Sequence, residues 1–307
     1  MLRLFRKKKK KKKKKQKKEK EINFQKNGSL LLEELIATSG GIYNPIRTFS
    51  SDQILQATNH FDWNYVISED RFVCHKNVLK LLGCCLEFPR PVLVCAYPEN
   101  GALNCIRRGK EGNRPFPWNV RLRIAKEIAD AVAYLHTEFP RTIIHRDLKL
   151  ANIFLDENWS AKLSSFSLSI LIPEGETGVN DMVCRTSSYI EPNYFNTGLV
   201  TENVDIYSLG IIMLVLLTGK SEYNSEVAVY LPVLPVYVGK FLERGLLTEL
   251  IDPSMFDSAS DDIPQQSRLQ MEAFIELAFR CVRFRPGENV PRMIDVAKEL
   301  KKIEKHT

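Results

Sequence analysis

"IIHRDLKLANIFLDE", residues 143–157, carries the densest chemistry in this 307-residue sequence. Asp147 stands at its centre, Lys149 follows two residues later and Asn152 five residues later. That order suits transfer of a phosphoryl group to a hydroxyl. A carboxylate orients the hydroxyl and takes its proton, an amide oxygen holds a magnesium ion bridging the phosphates, and a cation neutralises the moving group. A capping carboxylate would need neither the lysine nor the amide at fixed spacing. Close after it, "AKLSSFSLSI" (161–170) offers hydroxyls and no carboxylate that could hold a metal ion.

Outward from this stretch the pattern is helical on both sides. Val120, Ile124, Ile128, Val132 and Leu135 recur at near-helical spacing, and "TENVDIYSLGIIMLVLLTG" (201–219) runs from a Thr cap to Gly219 with apolar residues on every face. Residues 267–282 and 291–306 read as amphipathic helices, the second with Met293, Val296, Ala297, Leu300 and Ile303 as its buried stripe. The first third differs. Ser50 and Gln53 form a capping box before a short helix, residues 64–73 look extended, and 77–87 and 91–97 are apolar runs short enough for strands. Strands first and helices second predict an α+β, bilobal fold.

The net charge of +7 belongs to one end. Residues 1–20 hold fourteen Lys or Arg against Glu19, a balance of +13, so the remainder totals 7 − 13 = −6. The run Lys7–Lys15 repels itself and cannot bury apolar surface, which predicts a disordered polybasic tail over 1–27. Its first reading is a solvated extension with no partner; close behind it comes attraction of Lys7–Lys15 to an anionic membrane surface, and nuclear import or nucleic-acid contact is a weaker expectation. No secretory signal is visible, and the longest apolar run, 209–217, is too short to span a bilayer. The expected location is the cytoplasm, peripheral at the plasma membrane if the lysines engage lipid. The odd count of seven cysteines suits reduced thiols.

The order His145-Arg146-Asp147 with Asn152 resembles the protein-kinase catalytic loop. Residues 194–220, "NGAL" after the hinge, "RLRIAKEIADAVAYLH" before the loop and "RPGENVPRM" (285–293) resemble plant receptor-like kinases. The opening "NPIRTFSSDQILQATNHFD" (44–62) is similar to receptor-like cytoplasmic pseudokinases that serve as adaptors for a coiled-coil leucine-rich-repeat immune receptor. The resemblance implies a truncated, β-rich N-lobe over 28–94 and a hinge with an intact helical C-lobe over 95–307.

Against that pattern, four departures bear on chemistry. The metal-binding Asp-Phe-Gly position is Ser165-Phe166-Ser167, and a neutral hydroxyl is a poor magnesium ligand. Only two residues separate Phe72 from His75, too few at about 3.5 Å of reach each for the strand, lysine, helix and glutamate that hold the α and β phosphates. Lys76 and Lys80 are the nearest cations and fall in the wrong element. "ISEDRFV" (67–73) has no glycine for close approach to phosphate, and Glu69 and Asp70 would repel it. Finally, Glu191-Pro192-Asn193 replaces the acid that would pair near Arg285 with an amide. Most of the electrostatic stabilisation on which this reaction rests is thereby removed.

The resemblance implies an idle proton-acceptor position at Asp147, bracing of the activation segment by Arg146 and Asp147, and anchoring of the loop by Asp205. Lys149, Asn152 and Tyr97 remain as nucleotide contacts, so residual ATP binding is allowed and no cofactor or metal is required. It also implies an adaptor role: docking on the leucine-rich repeats of an immune receptor, and presenting the activation-segment face, with Ser165, Phe166 and Ser167 and on to about Asn193, to other receptor-like cytoplasmic kinases. An active serine/threonine kinase with a rearranged site is the alternative. A third reading is a missed exon or deletion at Val73-Cys74, which sequencing the transcript across codons 70 to 80 tests.

Overall fold

The computed structural model describes residues 14–29, 47–61, 73–104, 116–184, 189–220, 233–256, 263–283 and 289–305. The segment 64–72 and Arg285, both singled out above, lie outside the described residues. Two compact units form: residues 1–74 with 80–96, and residues 75–79 with 97–307.

The first unit is small. Helix α1 (residues 14–29) corrects the expectation of a tail without structure as far as residue 27. Its stabilisers are tertiary: the Asn27 amide donates to the carbonyls of Leu86 (3.0 Å) and Phe88 (2.8 Å), and Asn23 donates to Glu87 (3.1 Å). β1 (Arg47–Thr48) runs parallel to β2 (Leu81–Cys85), which pairs antiparallel with β3 (Val92–Cys95). Gly83 is required in β2, because a Cβ there would run into the Arg47 carbonyl of β1. α2 (Ser51–Ala57) starts at the expected box: Gln53 N donates to Ser50 Oγ (3.2 Å) and Ser50 N to Gln53 Oε1 (2.9 Å). The strand ladder is shorter than the apolar runs suggested, because residues 77–79 are recruited by the other unit.

In the second unit, the long helix α3 (Trp118–Thr137) buries Leu122, Ile124, Ala125, Ile128, Val132 and Leu135. After it come β4 (Ile143–Ile144), β5 (Ile153–Leu155), β6 (Ala161–Leu163), β7 (Ile170–Leu171) and β8 (Val179–Asn180), then the short helix α4 (Pro192–Thr197) and β9 (Leu199–Val200). The remainder is helical: α5 (Asn203–Thr218), α6 (Val233–Glu243), α7 (Leu247–Leu250), α8 (Gln265–Cys281) and α9 (Met293–Lys305). α5 is buried from Val204 to Thr218 and packs on α3 and α8, which explains its lack of a polar face. Its first cap differs from expectation. Glu202 is the N-cap, while Thr201 sits one residue earlier and its Oγ1 accepts from Asn203 N at 3.3 Å. Gly219 ends it at φ +63°, as a left-handed cap. α9 lies along α3 through the five residues read from its periodicity.

One buried arginine ties this lobe together. Arg121 on α3 donates to the Phe116 carbonyl (2.8 Å), the Leu216 carbonyl (2.7 Å) and Asp252 Oδ2 (2.7 Å). Arg121→Ala should cost about 2–3 kcal/mol, since a buried carbonyl and a carboxylate lose their donor. Thermal unfolding should show a midpoint lower by several degrees, and Arg121→Lys should recover only part of it, lacking the planar fork.

Candidate functional site

Two hairpin-like turns build the site. β5 pairs with β6 and β4 pairs with β7, so the loop between β4 and β5 (145–152) is laid against the turn between β6 and β7 (164–169). Two of the residues that shape these turns, Arg146 (φ 65°) and Ser165 (φ 66°), adopt left-handed backbone. Non-glycine residues hold that conformation only where the surroundings impose it.

Asp205 imposes it on the loop. This carboxylate is fully buried and accepts from the backbone N–H of His145 (2.7 Å) and Arg146 (2.9 Å), and from His136 Nε2 (3.0 Å). Burial by itself would raise the Asp205 pKa. The hydrogen bond and charge of His136, with help from His145, outweigh it and hold the group below the usual carboxylate range. The His145 ring closes the other side. Its Nε2 meets the Ser164 carbonyl at 2.9 Å and its Nδ1 accepts from Asp147 N at 3.2 Å, which assigns the Nε2–H tautomer. Phe166, 2% exposed, packs edge-on against that ring at 4.9 Å.

Arg146 reaches the segment after β7. Its guanidinium bonds Asp181 Oδ2 (2.7 Å), the Met182 carbonyl (2.9 Å) and the Tyr194 hydroxyl (2.8 Å). The β8–β9 pairing, Val179 with Val200 and Asn180 with Leu199, brings Asp181 there. Backbone N–H of Met182, then Arg146, lowers the Asp181 pKa. Asp181 and Tyr194 were not legible as partners: no spacing links them to Arg146 before the strands pair.

Asp147 is bonded within its own loop, and residues 185–188 of the segment it was expected to brace lie outside the described residues. Its Oδ2 accepts from Asn152 Nδ2 (2.7 Å) and meets Lys149 Nζ (2.8 Å), so amide and cation both bond the acid within one loop. The Asn152 amide also donates to the Asp147 carbonyl at 2.8 Å. Ser165 is buried beside this set and Ser167 is exposed. Tyr97, at the start of the second unit, is 75% exposed. Lys76 is exposed, its Nζ 3.9 Å from Asp130, on a strap in which His75 stacks on Tyr134 at 4.9 Å and Leu163 N donates to the Asn77 carbonyl at 2.8 Å. In the motif that stands opposite the missing acid, Glu191 caps α4 by accepting from Tyr194 N at 2.6 Å. Among the described residues, no group of three His, Cys, Asp or Glu side chains is placed to hold a metal ion.

A buried aspartate under a His-Arg-Asp loop, with an arginine reaching to the downstream segment, defines a protein-kinase catalytic lobe. The protein kinase domain family matches residues 53–231. The non-functional pseudokinase ZED1 of Arabidopsis thaliana is 45% identical over 320 residues, covering 91% of this chain and 96% of its own. The serine/threonine-protein kinase ZRK7 of the same plant is 60% identical over 210 residues, covering 56% of this chain and 76% of its own. The non-functional pseudokinase ZRK2, also from Arabidopsis thaliana, is 40% identical over 329 residues (92% and 89%). The chain belongs to the protein kinase family, in the plant group of receptor-like cytoplasmic kinases and pseudokinases that holds ZED1 and the ZRK proteins.

The lengths carry a further fact. The match to ZED1 spans 320 positions but takes in 91% of 307 residues, about 280; the difference, 320 − 280, is about 40 positions that the relative fills and this chain does not. A strand, a helix of three or four turns and their connections need a length of that order.

Proposed function

We propose that this chain is a pseudokinase that works as an adaptor or decoy scaffold in plant innate immune signalling, and that its catalytic loop is retained as structure. The observation that carries this reading is the neutral, buried Ser165 at the position where the resemblance calls for a metal-binding carboxylate. Magnesium takes anionic oxygens at near-octahedral geometry. Asn152 and Ser165 supply neutral ones, so the donor set does not fit the ion on which phosphoryl transfer depends. The shortfall of about 40 residues against ZED1 supports the same reading, because its size is that of the section that would supply the phosphate-holding lysine and its glutamate. The name of ZED1 says that it is a non-functional pseudokinase, and we extend that description to this chain.

Under this reading the anchors are kept and the chemistry is not. Asp205 and Arg146 hold the loop and the segment around Asp181, Met182 and Tyr194, and that surface is what a protein partner reads. The proposed partners are the leucine-rich repeats of an immune receptor and other receptor-like cytoplasmic kinases, met in the cytoplasm; no cofactor is required. A titration with ATP and magnesium followed by thermal unfolding tests the nucleotide part. A midpoint that moves by less than about 1 °C at millimolar ATP-magnesium is expected; a shift of several degrees that needs magnesium would mean binding far below that concentration and would count against the reading.

The second reading is a serine/threonine kinase of slow turnover. It is favoured by Asp147, Lys149 and Asn152 being all present, with Lys149 and Asn152 each within 2.8 Å of the Asp147 carboxylate, and by ZRK7 being named a kinase.

A further inference from the structure

A small cavity of about 290 Å³ opens where α4, α5 and the end of α8 meet. The packing of the two long helices explains it. At Gly210, α5 lies so close to α8 that a Cβ would come within 2.7 Å of Val282 and 2.9 Å of Cys281. Tyr207 stands about one turn earlier on the same face, and there the space is left to the cavity, which Glu191, Asn193 and Asn203 also line. Two of these polar side chains are deeply buried and keep hydrogen-bonding capacity. Tyr207 is 7% exposed, and among the described residues nothing bonds its hydroxyl. Burial, and then the charge of Glu191, pushes its pKa up to about 12, so the phenol is neutral at physiological pH. Glu191, also 7% exposed, spends Oε2 on the N–H of Tyr194 at 2.6 Å, and a carboxylate has room for further donors.

We propose that this cavity is a socket for the guanidinium of an arginine side chain carried by a bound protein. A buried carboxylate beside a neutral phenol calls for a cationic donor, and a planar fork offers several donors in fixed directions to the two oxygen-bearing groups. The volume lies at the bottom of the range for small-molecule sites, which suits one side chain better than a cofactor. Pro192, Val282 and Val290 supply apolar contact for the methylene stem. The first turn of α5 and the Arg283 side chain by themselves favour an anion. Arg283 is exposed and screened by water, whereas Glu191 is buried, so the carboxylate decides the sign. This inference does not depend on whether the chain transfers phosphate.

The test is ligand-observed saturation-transfer NMR of the full chain with N-acetyl-arginine methylamide, its neutral citrulline counterpart and its glutamate counterpart. The arginine probe should bind with a dissociation constant on the order of millimolar, the citrulline probe roughly tenfold more weakly, and the glutamate probe more weakly still. Glu191→Gln keeps an acceptor for the Tyr194 N–H and should weaken the arginine probe roughly tenfold; Tyr207→Phe should weaken it about threefold. Two variants should strengthen it, each about twofold to threefold: Asn193→Glu, which adds a carboxylate at the rim, and Arg283→Gln, which removes the opposing charge. A gain of binding cannot arise from misfolding, so these two hold the proposal to account even if Glu191→Gln unfolds. Equal signals from the arginine and citrulline probes would overturn the proposal. So would tighter binding of the glutamate probe, or arginine binding that is absent or unchanged in both Glu191→Gln and Asn193→Glu.

Discussion

Asp205→Ala should destabilise the helical unit by about 4–5 kcal/mol, near the top of the range for breaking a buried charged network. Three donors converge on that carboxylate, the N–H groups of His145 and Arg146 and Nε2 of His136, and alanine leaves all three without an acceptor in a site closed to water. For a unit of this size the unfolding midpoint should fall by roughly 10–15 °C. Asp205→Asn keeps one acceptor oxygen and should lie between the two. The pH profile has a definite sign. A carboxylate with a depressed folded pKa contributes fully above its unfolded value of about 3.9 and loses that contribution as pH falls through the lower folded value. The gap between wild type and Asp205→Ala should therefore stay constant from neutral pH down to about pH 4 and narrow only below it. A gap already closing near pH 6 would contradict this assignment.

Arg146→Ala should have the second-largest effect, about 3 kcal/mol, and a different distribution. Its guanidinium is the link between the loop and the segment carrying Asp181, Met182 and Tyr194. Hydrogen exchange of the amides from Val179 to Cys184 should accelerate at least tenfold, beyond the change in the helices. Arg146→Lys should not restore it, since an ammonium cannot serve three acceptors in that planar arrangement. Asp181→Ala offers a complementary check. It leaves the arginine facing an anion-shaped vacancy, and added sulfate should return part of the lost protection in this variant and none in Arg146→Ala. If exchange in the segment is unchanged in Arg146→Ala, the arginine does not brace it.

Much of the helical unit was legible because its signals are local. The spacing of Val120, Ile124, Ile128, Val132 and Leu135 predicted α3, the all-round apolar character of 203–218 predicted a buried helix, and the Met293–Ile303 stripe is the face that packs. The Ser50–Gln53 box is local for the same reason. What the sequence hid depends on chain segments far apart. Helix α1 looks like self-repelling charge until Asn23 and Asn27 find the carbonyls of residues 86–88, about sixty residues away. Residues 77–79 read as the start of a strand run, yet His75 stacks on Tyr134 and Asn77 bonds β6, which places residues 75–79 with the helical unit. In the site, the motif located Asp147, Lys149 and Asn152 but not their mutual bonding, and it could not locate Asp181, which two short strands carry to Arg146.

The measurement that bears most directly on the central claim is transfer of labelled phosphate from ATP-magnesium, to the chain itself and to a generic protein acceptor, by purified wild type and Asp147→Asn side by side. The account predicts equal background signals, because the donors left for the ion, Asn152 and Ser165, are neutral. Reproducible turnover by the wild type that Asp147→Asn abolishes would contradict it.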